Sequence, residues 1–277
     1  MCDHKVSRTA IGTAYLRAAH QLLETQPRIL DDPSILTMLG SVALQRIKDR
    51  ADHYRTPEMA ALRAHVVLRS RFAEDRLAAA VLRGITQYVI LGAGFDTFVL
   101  RQPPWAQTLK IFEVDHPGTQ AMKRSHLTAA GLTMPKNAAF AEIDFEHESL
   151  YLGLHSYNVK MDEPVFFSWL GVTMYLKEDA IDAVLRCVAS FPAGSEIVLT
   201  FAPPSGDSPS PLALRTASHG EPWVSYFEPY AFEAKLIDAG FSKVKFLSPA
   251  DANAQYFRQR PGDLPVPKRT NILCAVL

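Results

Sequence analysis

The sequence predicts an α/β fold: an open sheet of five parallel strands with helices on both faces, a terminal antiparallel pair of strands, and a helical cap at the N-terminus. Three observations carry this. Short apolar runs rich in β-branched residues recur from Gln87 onward and alternate with helical patterns, as in a parallel sheet buried on both faces. The last two such runs, KVKFL and NILCAVL, lack an intervening stretch with a clear crossover helix, so they pair antiparallel. Before Gln87 the chain is helix-rich instead.

The elements follow in order. Thr9 to Thr25 carries Ala14, Leu16, Ala18, Ala19, Leu22 and Leu23 among polar residues, a helical pattern. In LDDPSILTML, Asp32 is a cap and Pro33 a good first helical residue. Glu58 to Arg83 reads as a long Ala/Leu/Arg helix. QYVILGAG, LKIFEVDHP, AAFAEIDF, EPVFFSWLG and SEIVLTFAP are the five strands, with helices at Gly118–Ala130 and Lys177–Ser190 between them. PYAFEAKLIDAGF is a further helix, stopped by Gly240. The organisation expected is a cap over 1–84 integrated with a core over 85–277.

With 277 residues, 48% of them hydrophobic, the chain can fill one sizeable core. No stretch approaches the roughly 20 apolar residues of a membrane span, and MCDHKVSRTA has no apolar signal core. A cytoplasmic protein with no membrane partner is expected. The 29 basic residues equal the 29 acidic ones, so no net field draws in nucleic acid. Cys2, Cys187 and Cys274 are widely spaced and never form a CxxC pair, and the nine histidines include no HExxH. Neither a disulfide framework nor a bound metal is expected.

Four strand ends carry chemistry. In ILGAGFDT, the Gly92–Ala93–Gly94 turn lets backbone approach a ligand. A dinucleotide fingerprint would place a third glycine where this chain has Thr97, which favours a ligand without a pyrophosphate. Glu113 and Asp115 end the second strand, where such folds bind ribose hydroxyls; Asp115, at the tip, is the better placed. Asp144 and Phe145 end the third strand. An acid that accepts from an exocyclic amine, beside an aromatic wall, suits a nucleobase. SWLGVTMYL ends the fourth, with Trp169 and Tyr175 near where a reacting group would lie. Any one of these has a plain structural explanation as a tight turn, a solvated acid or a core aromatic. Three acidic or glycine tips on consecutive strands together describe a nucleoside site.

The ordered segments RTA…DDP, RSRFAEDRL, VILGAGFDT, FEVDHP…K, IDFEHESL and WLGVTMYL resemble the leucine carboxyl methyltransferase-like family, in particular its bacterial O-methyltransferases, polyketide carboxyl methyltransferases included. The resemblance runs from about Arg8 to Phe201 and more loosely onward. It implies a Rossmann-like class I methyltransferase sheet, S-adenosylmethionine as cofactor and S-adenosylhomocysteine as product. It assigns Arg71 to the methionine carboxylate, Gly92 with Ala93 and Gly94 to the methionine moiety, Asp115 to the ribose, and Asp144 with Phe145 to adenine. Leu170 stands where members that methylate a protein C-terminus have an acid. That departure weakens a protein acceptor while leaving backbone contacts of the loop available.

A sulfonium donor is already activated, so the enzyme mainly aligns an oxygen nucleophile and excludes water. A carboxylate acceptor needs no general base; a hydroxyl acceptor needs one, and His219 is the candidate. The segment 203–223 is long for a connection and reads as a lid. Tyr15, Tyr175, His219, Trp223 and Tyr226 are expected to shape a pocket for a small aromatic or polyketide-like acceptor. Monomer and homodimer both fit. The competing readings are a protein C-terminal carboxyl methyltransferase, a nicotinamide-dependent oxidoreductase on a Rossmann sheet, and a catalytically silent cofactor-binding protein.

Overall fold

The computed structural model describes residues 7–204, 206, 208–260 and 262–277; Cys2 and the first six residues of the segment read for a signal core lie outside the described residues. The chain begins with α1 (Arg8–Leu23), α2 (Pro33–Asp49, kinked at Gly40), the short α3 (Ala51–Arg55) and the long α4 (Pro57–Leu82). Asp32 caps α2 as its sequence foretold, with its side chain accepting from Ile35 N and Pro33 in the first turn. There follow β1 (Gln87–Leu91), β2 (Lys110–Asp115), α5 (Pro117–Ala129), β3 (Ala138–Glu142), α6 (Leu150–Ser156), β4 (Val165–Trp169), α7 (Glu178–Ala189) and β5 (Glu196–Thr200). The chain closes with α8 (Pro211–Ser218), α9 (Pro229–Ala239), β6 (Lys243–Phe246), α10 (Pro249–Ala252) and β7 (Ile272–Val276).

All seven strands form one sheet in the order β3-β2-β1-β4-β5-β7-β6. The five expected parallel strands pair as predicted, and β6 pairs antiparallel with β7. β7 is inserted between β5 and β6 and is antiparallel to both. It is therefore the single reversed strand. The link from β6 to β7 is also not a bare loop. It holds α10 and a π turn over Asn253–Phe257, whose Ala252 and Phe257 pack into the core.

The sheet is covered on both faces. On one, Val89, Leu91, Phe167, Trp169 and Leu199 meet residues of α6, α7 and α9. On the other, Tyr88, Ile90, Phe166 and Val198 meet Ala64, Leu68, Phe72 and Ala80 of α4. Burial on both faces explains why β1, β4 and β5 are apolar or buried at every position rather than alternating. The N-terminal helices are accordingly of two kinds. α4 lies on the sheet itself, whereas α1 and α2 form a separate cluster over Phe95 and Leu127. Among the described residues, no helix is long and apolar enough to cross a membrane. Cys187 and Cys274 are buried and unpaired.

Candidate functional site

Leaving β1, the chain turns at Gly92 and Gly94, both at positive φ (66° and 50°). A Cβ on Gly92 would fall 2.3 Å from Val172 Cγ2, and one on Gly94 would fall 3.3 Å from Ala10 Cβ. The glycine loop is thus wedged between the loop after β4 and the first turn of α1. Ala93 N donates to Val114 O at 3.0 Å. Gly94 N donates to Asp115 Oδ2 at 2.5 Å, and His116 N to Asp115 Oδ1 at 2.7 Å. Burial raises the Asp115 carboxyl above its ordinary value, against the pull of these two amides. Glu113 is excluded from the tip. It is wholly buried in a 2.5 Å pair with Lys123, and burial pushes it up to about 7.

Thr97, where a dinucleotide motif has glycine, serves another purpose. Its hydroxyl donates to Asp32 Oδ1 at 2.6 Å. Arg17 reaches Asp32 Oδ2 through Nε at 3.0 Å and Phe95 O through Nη1 at 2.9 Å. Arg101 bonds Thr97 Oγ1 at 3.2 Å and Glu74 at 2.9 Å. Burial alone would push Asp32 up, but Arg17, Arg101 and Thr97 hold it below its ordinary value. A buried charge is tolerable only when partnered in this way. The network fastens the glycine loop to the helical cap.

The third tip sits beside the second. Ile143 N donates to Asp115 O at 3.0 Å, and Asp144 lies 3.8 Å from His116 Nε2. Asp144 accepts from Glu146 N at 2.9 Å and contacts His147 Nδ1 at 2.8 Å. Its carboxyl is lowered: these partners outweigh the push of partial burial. Phe145 sits edge-on to Trp169, ring centres 6.5 Å apart. Leu170 is half-buried against the α4 face of the core. The next residue, Gly171, donates its N–H to Thr200 Oγ1 at 2.7 Å.

Two arginines of α4 stand in different surroundings. Arg71, the residue expected to hold the methionine carboxylate, binds Asp75 Oδ1 through Nε at 2.8 Å and Ile29 O through Nη1 at 3.4 Å, and its side chain is 44% exposed. Two residues back, and so about 200° around the helix, Arg69 faces inward. A Cβ on Gly171 would fall 2.5 Å from Arg69 Nη1. Among the described residues Arg69 forms no ion pair, and burial pulls it down to about 10. An inward guanidinium without a carboxylate is a built place for one. His65, one turn earlier, is pushed down to about 3 by burial and by the charges of Arg69 and Arg269. Neither residue was singled out in the sequence.

Of the five residues expected to shape an acceptor pocket, the structure brings three together. Tyr175 and Trp223 meet edge-to-face at 6.5 Å, and Trp223 and Tyr226 at 6.2 Å. Val224 N donates to Met174 O at 2.8 Å and Ser225 Oγ to Leu176 O at 2.6 Å, strapping the chain after α8 to the loop after β4. Trp223 Nε1 is buried with no acceptor. Tyr15 packs instead among α1 and α2. His219 ends α8, exposed, with no side-chain hydrogen bond among the described residues. The segment 203–223 is thus partly helical.

Against known proteins, the family model described as "Leucine carboxyl methyltransferase" matches residues 10–189. A Bacillus subtilis protein named "Putative S-adenosyl-L-methionine-dependent methyltransferase YktD" is 34% identical over 71% of this chain and 67% of its own length. A similarly named Parafrankia sp. protein is 32% identical over 70% of this chain and 62% of its own length. The chain thus spans about two thirds of each relative. In fold, the chain is similar to a crystal structure of "a putative methyltransferase" from Thermobifida fusca, at TM-score 0.59, 17% identity, and coverage of 99% and 96% of the two chains.

Proposed function

The chain belongs to the leucine carboxyl methyltransferase family, and from that membership we propose that it methylates a carboxylate oxygen of a small aromatic or polyketide-like molecule. It is an S-adenosylmethionine-dependent methyltransferase. The observation that carries the cofactor assignment is Arg69, without an ion pair among the described residues and inward against Gly171, on the loop whose Val172 packs against the Gly92 turn.

The residues fit that cofactor. Arg69 suits the methionine carboxylate. The glycine turn packs against Val172 and Ala10 more closely than a side chain would allow, and it offers bare backbone to a ligand. Asp115 spends one lone pair of each oxygen on a backbone amide, and each keeps another for a ribose hydroxyl. Asp144 and Phe145 suit an adenine amine and ring. Once bound, the cofactor supplies a methyl group on a sulfonium, activated without further help. The protein's task is then to hold the acceptor oxygen in line and keep water out.

Two features favour a carboxylate acceptor over a hydroxyl. His219 is exposed, with no side-chain hydrogen bond among the described residues to orient it, and His65 is held neutral among cations, which makes it a weak base. Arg69 and Arg269 both act on His65 as positive charges, surroundings that suit an anion. The faces of Tyr175, Trp223 and Tyr226 suit a flat unsaturated acceptor.

Two measurements test this. In calorimetry the protein binds S-adenosylhomocysteine and not NAD; the reverse result overturns the cofactor assignment. In an assay of S-adenosylhomocysteine release, aromatic acids are turned over while their methyl esters and the matching phenols are not. Turnover of phenols alone overturns the carboxylate assignment.

A further inference from the structure

The first turn of α1 is held by a residue more than two hundred positions away. Ser7 caps the helix from within, its hydroxyl accepting from Ala10 N at 3.1 Å. The amides of Arg8 and Thr9 need other acceptors, and the first turn of α1 contains no acidic residue. Glu221 provides them. Its Oε1 accepts from Arg8 N at 2.5 Å, and its Oε2 from Thr9 N at 3.0 Å and from the Ser7 hydroxyl at 3.4 Å. A carboxylate here also complements the positive end of the helix dipole.

Both ends of this contact lead to the site. Glu221 lies between α8 and Trp223, on the strap that carries Trp223 and Tyr226. The α1 turn in its grip covers the glycine loop, with Ala10 against Gly94. Ser7 N also donates to Thr119 Oγ1 at 3.4 Å, on the helix that follows Asp115. The strap at the acceptor end and the cover at the cofactor end are therefore one mechanical unit.

We propose that Glu221 is a positioning residue, a latch that holds α1 over the cofactor loop, so that release of the demethylated cofactor requires it to open. This rests on the S-adenosylmethionine assignment above. The Arg8 contact is exposed and the Thr9 contact partly buried, so opening exchanges protein partners for water at modest cost. Because the contact is charge-assisted, salt weakens it.

The test is the dissociation rate of S-adenosylhomocysteine from the loaded full-length protein, chased with excess S-adenosylmethionine. Glu221→Ala should raise this rate about tenfold, and Glu221→Gln, which still accepts hydrogen bonds but has no charge, about threefold. Arg8→Pro removes one donor at a first helical position that tolerates proline and leaves Glu221 in place; it should also raise the rate about threefold. Added salt should speed release from the wild type and leave Glu221→Gln nearly unchanged. A merely structural role would not order the variants by charge. Rates within twofold of wild type in Glu221→Gln and Arg8→Pro overturn the latch. If the wild type binds no S-adenosylhomocysteine at all, the cofactor assignment falls and takes the latch with it.

Discussion

The two ends of the cleft are built differently. At the proposed cofactor end, Gly92, Asp115 and Asp144 stand on the tips of three adjacent strands, and a backbone amide fixes each acid. At the proposed acceptor end, Tyr175 comes from the loop after β4 and Trp223 and Tyr226 from a strap after α8, joined by a few contacts such as Val224 to Met174. Strand tips in a buried sheet cannot move independently, whereas a strap can be rebuilt by changing a handful of side chains. The first end therefore suits an invariant ligand, and the second a variable one.

The largest expected effect lies at the rigid end. Asp115→Ala removes the proposed ribose acceptor and frees the Gly94 amide, so S-adenosylhomocysteine should bind at least ~100-fold more weakly in calorimetry, about 3 kcal/mol. Affinity within threefold of wild type would show that the strand tip does not hold the nucleoside. Next comes the arginine. Arg69→Lys keeps the charge but loses the two-pronged contact and should cost about tenfold in affinity, while Arg71→Ala, which breaks a half-exposed pair with Asp75 and a long bond to Ile29 O, should stay within about twofold. The opposite ranking would restore Arg71 to the site.

Between the two ends, His65 offers a pH signature. Its folded value lies near 3 against an ordinary 6.5, so the folded state resists its protonation. Its contribution to stability is complete above pH 6.5 and is lost as pH falls from there toward 3. Allowing for its partial exposure, the loss between pH 6.5 and 5 is about 1 kcal/mol. His65→Gln should flatten that part of a urea-denaturation profile against pH; an unaltered slope would mean that other groups cause it. The smallest effects belong to the strap. Trp223→Phe should raise the acceptor KM about threefold without changing cofactor affinity, and His219→Ala should leave kcat within about twofold. A hundredfold loss of kcat in His219→Ala would reinstate a general base.

How much of this was legible in the sequence follows the same division. β1, β2, β4 and β5 announce themselves as apolar β-branched runs because both faces are buried, and Asp115 is marked by ending such a run. The choice between Arg69 and Arg71 turns on two residues of helical phase. A signal was present, since Asp75 stands four residues after Arg71 and provides a helical partner, whereas Arg69 has His65 and Ala73 at the corresponding positions. α8 likewise had its Ser210–Pro211 start, obscured by the prolines and serines before it. The insertion of β7 between β5 and β6 was not legible, because strand order is decided by packing across the sheet. The same holds for Glu221, whose partners are more than two hundred residues away.

The most direct test of the central claim is a crystal structure of the complex with S-adenosylhomocysteine. The homocysteine carboxylate should lie on the Arg69 guanidinium, the ribose hydroxyls on Asp115, and the adenine beside Asp144 and Phe145. A carboxylate held by Arg71, or a ligand bound away from these strand tips, would contradict it.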